Sequence, residues 1–221
     1  MSLSQFESVR ETPAIDSIKV GAHLAFRGVR MRFGRNEEIF GEGEPVEYVY
    51  SVVSGAVRTM RFSSDGRRQI LSFHLPGDLF GLELGAAHGF SAETVVAAEI
   101  VMVRRAQLEK ATTEDPRAMR AWLDITAQTL LDAREHALVL GRKGANERVA
   151  AFLVTFADRF GSSAGVDLPM SRTDIADYLG LTIESVSRAF SEMERQHAID
   201  LPTSRRVVMR DRSLLLQREA A

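Results

Sequence analysis

From Val29 to about Arg105 the apolar positions come in short runs broken by turn residues. "VRMRF" (Val29–Phe33) alternates apolar and polar with the period of two of a half-buried strand. "YVYSVVSGAVRTMRF" (Tyr48–Phe62) predicts two strands joined near Ser54-Gly55. "SSDGRR" (Ser63–Arg68) supplies an Asp-Gly turn, and "QILSFHL" (Gln69–Leu75) continues as a strand. "PGDLFG" (Pro76–Gly81) and "ETVVAAEIVMVRR" (Glu93–Arg105) extend the series. Many short strands with Gly-rich turns predict a small barrel or sandwich.

The period changes at Asp115-Pro116, where Asp suits a helix cap and Pro the first helical position. Met119, Leu123, Thr126, Leu130, Ala133, Ala137 and Leu140 follow in alternating steps of 4 and 3, a heptad seam on a helix about 37 Å long. Such a helix either packs on its own β domain or pairs with its copy in a homodimer. Gly141 and Gly144 interrupt it. From Asn146 a new unit begins. In "ERVAAFLVTFADRF" (Glu147–Phe160), Val149, Phe152, Leu153 and Phe156 share one side, and the loop "GSSAG" follows.

The segment Ser171–Ile199, "SRTDIADYLGLTIESVSRAFSEMERQHAI", predicts two short helices. Ser171 and Asp174 form a near capping box, after which Ile175, Ala176 and Leu179 face inward. Gly180 permits a turn, and Thr182 caps a second helix with Ile183, Val186, Phe190 and Met193 as its buried stripe. Two helices joined through a Gly turn make a helix-turn-helix. Burial of that stripe leaves Glu184, Ser187 and Arg188 outward near the N-terminal half, the part of such a helix that meets base edges in the major groove. Arg can hold guanine O6 and N7 with two bonds, Glu can accept from cytosine N4, and Ser can contact base or phosphate. An isolated E-x-x-S-R is ordinarily a solvated helix face; its setting after a capped helix and a Gly turn favours the reading surface. "IDLPTSRRVVMRD" (Ile199–Asp211) predicts two strands around a Ser-Arg-Arg turn. In this wing Arg205 and Arg206, with Ser171, Arg172 and Thr182, are the candidate phosphate contacts, and Asp211 caps a last helix.

Composition narrows the class. The chain of 221 residues has no cysteine, which excludes disulfides, thiolate-held iron–sulfur clusters and thiol switching within it. No apolar run approaches the roughly 18 residues of a membrane span, and the polar N-terminus lacks the apolar stretch of a signal peptide, so a cytoplasmic protein is expected. The formal net charge is -2, divided as -3 over residues 1–141 and +1 over 142–221, only a weak nucleic-acid signal.

Over roughly residues 20–215 these motifs resemble the Crp/Fnr family of bacterial transcription regulators. "LPMSRTDIADYLGLTIESVSRAFSEME" is similar to its helix-turn-helix. Glu184, Ser187 and Arg188 resemble the Fnr and FixK branches, which read TTGA…TCAA-type palindromes. "GEGEPVEYVYSVVSGAVRTMRFSSDGRRQILSFHLPGDLFGLE" resembles the family's β-roll sensor domain, nearest the FixK branch. The resemblance implies an α+β chain with an N-terminal, cyclic-nucleotide-binding-like β-roll (1–114), a long dimerisation helix (115–141) and a C-terminal winged helix-turn-helix (142–221). It implies double-stranded DNA, a second copy of the chain and RNA polymerase as partners, and control of anaerobic, microaerobic or nitrogen-oxide metabolism.

The departures bear on mechanism. The cysteines of Fnr-type oxygen sensors are missing. Cyclic-AMP-binding relatives use a Gly-Glu stretch for ribose and an Arg-Ser pair for phosphate. Here Gly81 and Glu83 stand in a similar place, but Phe90 precedes Ser91 where that Arg would be. A buried phosphate without a cation is costly, so no cofactor is expected and the site reads as a remnant, unless Arg104 or Arg105 substitutes. A rival reading makes the β-roll a sensor of a nucleotide or of haem, through His74 or His88 among the five His (23, 74, 88, 136, 197). A second rival is a small-molecule-binding module without DNA function. Trp122 and Phe152 read as core or seam. The acidic run "EGEPVE" (Glu42–Glu47) reads as a solvated turn or a polymerase contact. No G-x-x-x-x-G-K or H-E-x-x-H motif occurs, and no metal set, so an enzyme is not expected.

Overall fold

The computed structural model describes residues 14–20, 24–142, 144–161 and 165–220. His23 and the loop positions 162–164 of "GSSAG" lie outside the described residues. Strands β1 (Ala14–Val20), β2 (Leu24–Phe33), β3 (Glu38–Phe40), β4 (Tyr48–Phe62), β5 (Arg68–His74), β6 (Leu79–Phe80) and β7 (Ser91–Arg104) form one antiparallel sheet in the order β1-β2-β7-β4-β5, with β3 on β7 and β6 on β4. β7 organises the roll. One of its edges is shared by β2, over Ala98–Met102, and β3, over Ala92–Glu93, while β4 follows the other edge along most of its length. The interior holds Phe40, Val52, Val57, Phe80 and Ile100, all buried.

Tyr48–Phe62 is a single strand rather than two joined near Ser54-Gly55. The pairing of β4 with β7 shifts register between Val52 and Val57. Gly55 has φ +84°, and a Cβ there would lie 2.4 Å from the Ala97 carbonyl oxygen. Its glycine signal marks a bulge that bends a long strand around the roll, not a chain reversal. The Asp65-Gly66 turn does reverse the chain, with Gly66 at φ +81°.

Helix α1 (Arg105–Glu114) follows β7 directly and was not expected; Leu108 is its one buried residue, so its apolar periodicity is faint. α2 (Pro116–Arg142) begins where Asp115 predicted, with Asp115 Oδ1 accepting from the Arg117 amide at 2.8 Å. One face of this helix packs on its own β domain. Ala118 is buried, and Ala121 and Ile125 pack on Val101 and Val103 of the β-roll. The heptad seam lies elsewhere. Met119, Leu123, Thr126, Leu130, Ala133 and Ala137 are exposed, Leu123 and Leu130 by 54% and 51%, and Leu140 is half-buried.

The C-terminal part comprises α3 (Ala145–Arg159), β8 (Gly165–Asp167), α4 (Arg172–Leu179), α5 (Ile183–Arg195), β9 (Ile199–Asp200), β10 (Arg206–Met209) and α6 (Arg212–Ala220). The three strands pair in the order β8-β10-β9, which makes the wing. Val149, Phe152, Leu153 and Phe156 are buried as the periodicity required, and Phe152 is core. That core is continuous with Ile70, Phe73 and Leu75 from the β-roll.

Candidate nucleic-acid interface

Local chemistry sets the helix pair. The Asp174 amide donates to Ser171 Oγ at 3.1 Å, while Asp174 Oδ2 accepts from the Ser171 amide at 3.0 Å and its hydroxyl at 2.8 Å. α4 ends at Gly180 in the left-handed region (φ 61°), which a side chain would strain. Thr182 Oγ1 then accepts from the Ser185 amide at 3.2 Å and starts α5. Val186, Ala189, Phe190 and Met193 are buried beneath α5. Ile183 does not join them. It is 40% exposed, because the first turn of α5 projects beyond the core that grips the later turns.

Glu184, Ser187 and Arg188 are all exposed on α5. The Glu184 carboxyl is held below its ordinary range by its own amide first, then by the Thr182 hydroxyl, with a smaller contribution from the Arg188 charge. Arg188 and Ser187 line a shallow open depression with Ser191, Glu192 and Arg195. The last three were not expected as site residues. Their signal was present, since Ser191 and Arg195 continue the spacing of Ser187 and Arg188 one and two turns on.

The candidate phosphate contacts have diverse settings. The Ser171 and Thr182 hydroxyls are committed to caps. Arg172 lays its guanidinium over the Phe190 ring at 3.2 Å, and its buried Nη1 has no hydrogen-bond partner among the described residues. Burial pulls its pKa down to about 10. In the wing, Arg205 Nη1 donates to the Pro169 carbonyl at 3.0 Å and Arg206 pairs with Asp167. The Asp211 carboxylate caps α6 through the Ser213 amide at 2.9 Å.

In the β-roll the remnant positions are brought together and filled. Gly81 has φ +72°, and a Cβ there would meet the Tyr50 ring at 2.6 Å. Glu83 Oε1 lies 3.1 Å from His88 Nδ1, and His88 stacks on Phe40 at 3.6 Å between ring centres. Phe90 joins the same cluster, 6.0 Å from Phe40, and Ser91 Oγ accepts from the Glu42 amide at 3.0 Å. Arg105 is tied to the Leu84 and Gly85 carbonyls, and Arg104 lies over Tyr48. His74 is half-buried, with Nε2 3.3 Å from Thr59 Oγ1. His136 stacks on Tyr178 at 4.0 Å.

Comparison with known proteins agrees with this architecture. Residues 30–115 match the cyclic nucleotide-binding domain and residues 147–218 the Crp-like helix-turn-helix domain. The nitrogen fixation regulation protein FixK of Azorhizobium caulinodans is 46% identical over 214 residues, covering 95% of this chain and 86% of that protein. The chain belongs to the Crp/Fnr family of transcription regulators. FixK of Bradyrhizobium diazoefficiens is 42% identical over 176 residues, 78% of this chain and 74% of that one. The solved structure of FixK2 from Bradyrhizobium japonicum superposes with a TM-score of 0.85 at 47% identity, covering 88% of this chain and 98% of its own. Members of the Crp/Fnr family act by binding DNA through this helix-turn-helix and are not enzymes. The α+β architecture of β-roll, long helix and winged helix-turn-helix is that of the family. Among the described residues no helix is long and apolar enough to cross a membrane.

Proposed function

We propose that the chain is a homodimeric, cytoplasmic activator that reads a TTGA…TCAA-type palindrome, with two copies of α5 in successive major grooves about 34–36 Å apart. The observation that carries this reading is the division of α5: Val186, Ala189, Phe190 and Met193 anchor one face, while Glu184, Ser187 and Arg188 are left to solvent on a capped, fixed helix. Arg188 and Glu184 read bases, and Ser187 supports them. Arg205 and Arg206 reach the phosphates from the wing, and Ser171, Arg172 and Thr182 mark the starts of α4 and α5, whose N-termini offer backbone amides to phosphate. The seam from Met119 to Leu140 joins the two copies. RNA polymerase is the partner on which an activator acts, and the likeness to FixK favours genes of nitrogen fixation and low-oxygen metabolism.

A gel shift on a TTGA…TCAA duplex tests this, with no shift at low salt counting against it. Arg188→Ala is expected to lose discrimination at one base pair per half-site, about 1–3 kcal/mol for a bidentate contact. Arg205→Ala is expected to weaken all sequences about equally and to reduce the salt slope by about one. Equal loss of specificity from both changes would remove the assignment of roles. A ligand-gated reading of the β-roll predicts heat on titration with cyclic nucleotide or a Soret band. The aromatic cluster of Phe40, Tyr50, Phe80, His88 and Phe90 where the ligand would sit argues against it.

A further inference from the structure

α4 meets the β-roll through charge. Arg58, on β4, donates from Nη1 to Asp174 Oδ1 at 3.2 Å and from Nε to Glu93 at 3.0 Å. Arg68, the first residue of β5, donates from Nη2 to the same Asp174 Oδ1 at 2.8 Å and from Nε to Asp177 at 2.7 Å. Arg58 and Asp174 are each only 5% exposed. The other oxygen of Asp174 closes the capping box of α4. One carboxylate therefore holds the start of α4 together with Arg58 and Arg68 of the β-roll. α4 is joined to α5 through the Gly180 turn, and the two helices share a core. The same end of the β-roll is also tied to α3, where Arg159 donates to the Phe73 carbonyl at 3.0 Å.

Buried ion pairs add little net stability but demand one geometry. The apolar contacts beside this cluster, such as Phe73 against Tyr178 at 5.2 Å, tolerate sliding; a carboxylate shared between two arginines and a helix cap does not. We propose that Arg58 and Arg68, with Asp174 and Asp177, are positioning residues of the DNA reader. They fix the angle at which α5 is presented relative to the β-roll and α2, and so set the half-site separation that a pair of chains accepts. This rests on the dimeric, palindrome-reading function proposed above. None of the four residues touches DNA in that reading, and each acts through the placement of α5.

The test measures binding of the full chain to duplexes that carry the same two half-sites with the central gap at its optimum or changed by one or two base pairs. A one-base-pair change turns one half-site by about 34–36° relative to the other, and wild type is expected to lose about tenfold or more in affinity. Arg68→Gln is expected to cut that penalty to under about threefold while the penalty for a wrong base within a half-site stays unchanged. Arg68→Lys restores the wild-type gap profile in large part. Asp177→Asn removes the other end of the same bridge and serves if Arg68→Gln does not fold, folding being followed by thermal melts. A variant that is folded, keeps the wild-type gap profile and merely scales all affinities overturns the proposal, because the bridge is then only structural. Wild type that binds the palindrome with no gap preference also overturns it. Wild type that binds no palindrome at all overturns the dimeric reading beneath it.

Discussion

His74 shows how one side chain couples the fold to its medium. Half-buried on β5 beside Phe80, it is held neutral chiefly by desolvation, with the Arg159 charge adding to the effect, and its pKa falls to about 3. In the unfolded chain a histidine takes up its proton near pH 6.5. Between these values the unfolded state binds more protons, so stability rises with pH and is lost as pH falls below about 6.5, at most about 1.4 kcal/mol per unit. His136, also pulled down by desolvation, acts in the same direction. Denaturant titrations from pH 7 to 5 are expected to show this slope, and His74→Gln to flatten it; an unchanged slope would mean that His74 is not held neutral. At this scale local chemistry was legible. The Ser171–Asp174 box, the Thr182 cap and the Gly180 turn all follow from spacings of a few residues. The second role of Asp174 was not, because its partners Arg58 and Arg68 lie 116 and 106 residues away in sequence. No periodicity connects a strand arginine with a helix cap.

At the scale of elements, β4 and α2 carry the sharpest expectations. Gly55→Ala puts a methyl group 2.4 Å from the Ala97 oxygen and 2.7 Å from Ala98 Cα, at a φ that alanine avoids. A loss of about 2–4 kcal/mol in unfolding free energy is expected, against under about 1 kcal/mol for Gly89→Ala, where nothing lies within 4 Å and φ is outside the left-handed region. Equal effects would show that β4 relaxes around the bulge. On α2, Leu123→Glu and Leu130→Glu place charge on the exposed seam and are expected to leave the monomer folded, to give a monomer in sedimentation, and to lower palindrome affinity by about 100-fold or more. Dimers that persist in both variants would move the interface elsewhere. Gly55 was misread because a glycine inside an apolar run signals either a turn or a bulge, and only the pairing with β7 distinguishes them. α1 was missed because "RAQLEKATTE" buries a single leucine. α2 left two readings open in sequence because it carries two apolar faces, Ala121 and Ile125 against the roll and the heptad seam in solvent.

Across the whole molecule, the β-roll and the helix-turn-helix share one apolar core through Ile70, Phe73 and Leu75, braced by the ion cluster on α4. The reader is therefore not a loosely tethered domain, and one calorimetric transition is the behaviour this continuity favours. The other feature at this scale is the bare leucine seam on α2. If chains pair along it, as proposed above, the DNA-competent species forms in proportion to the square of the free monomer, so while dimer and occupied operator are both scarce a doubling of monomer raises operator occupancy about fourfold. Such a regulator responds to its own abundance with a steeper dose curve than a monomer can give, and the rate at which the cell makes and degrades the chain becomes its input.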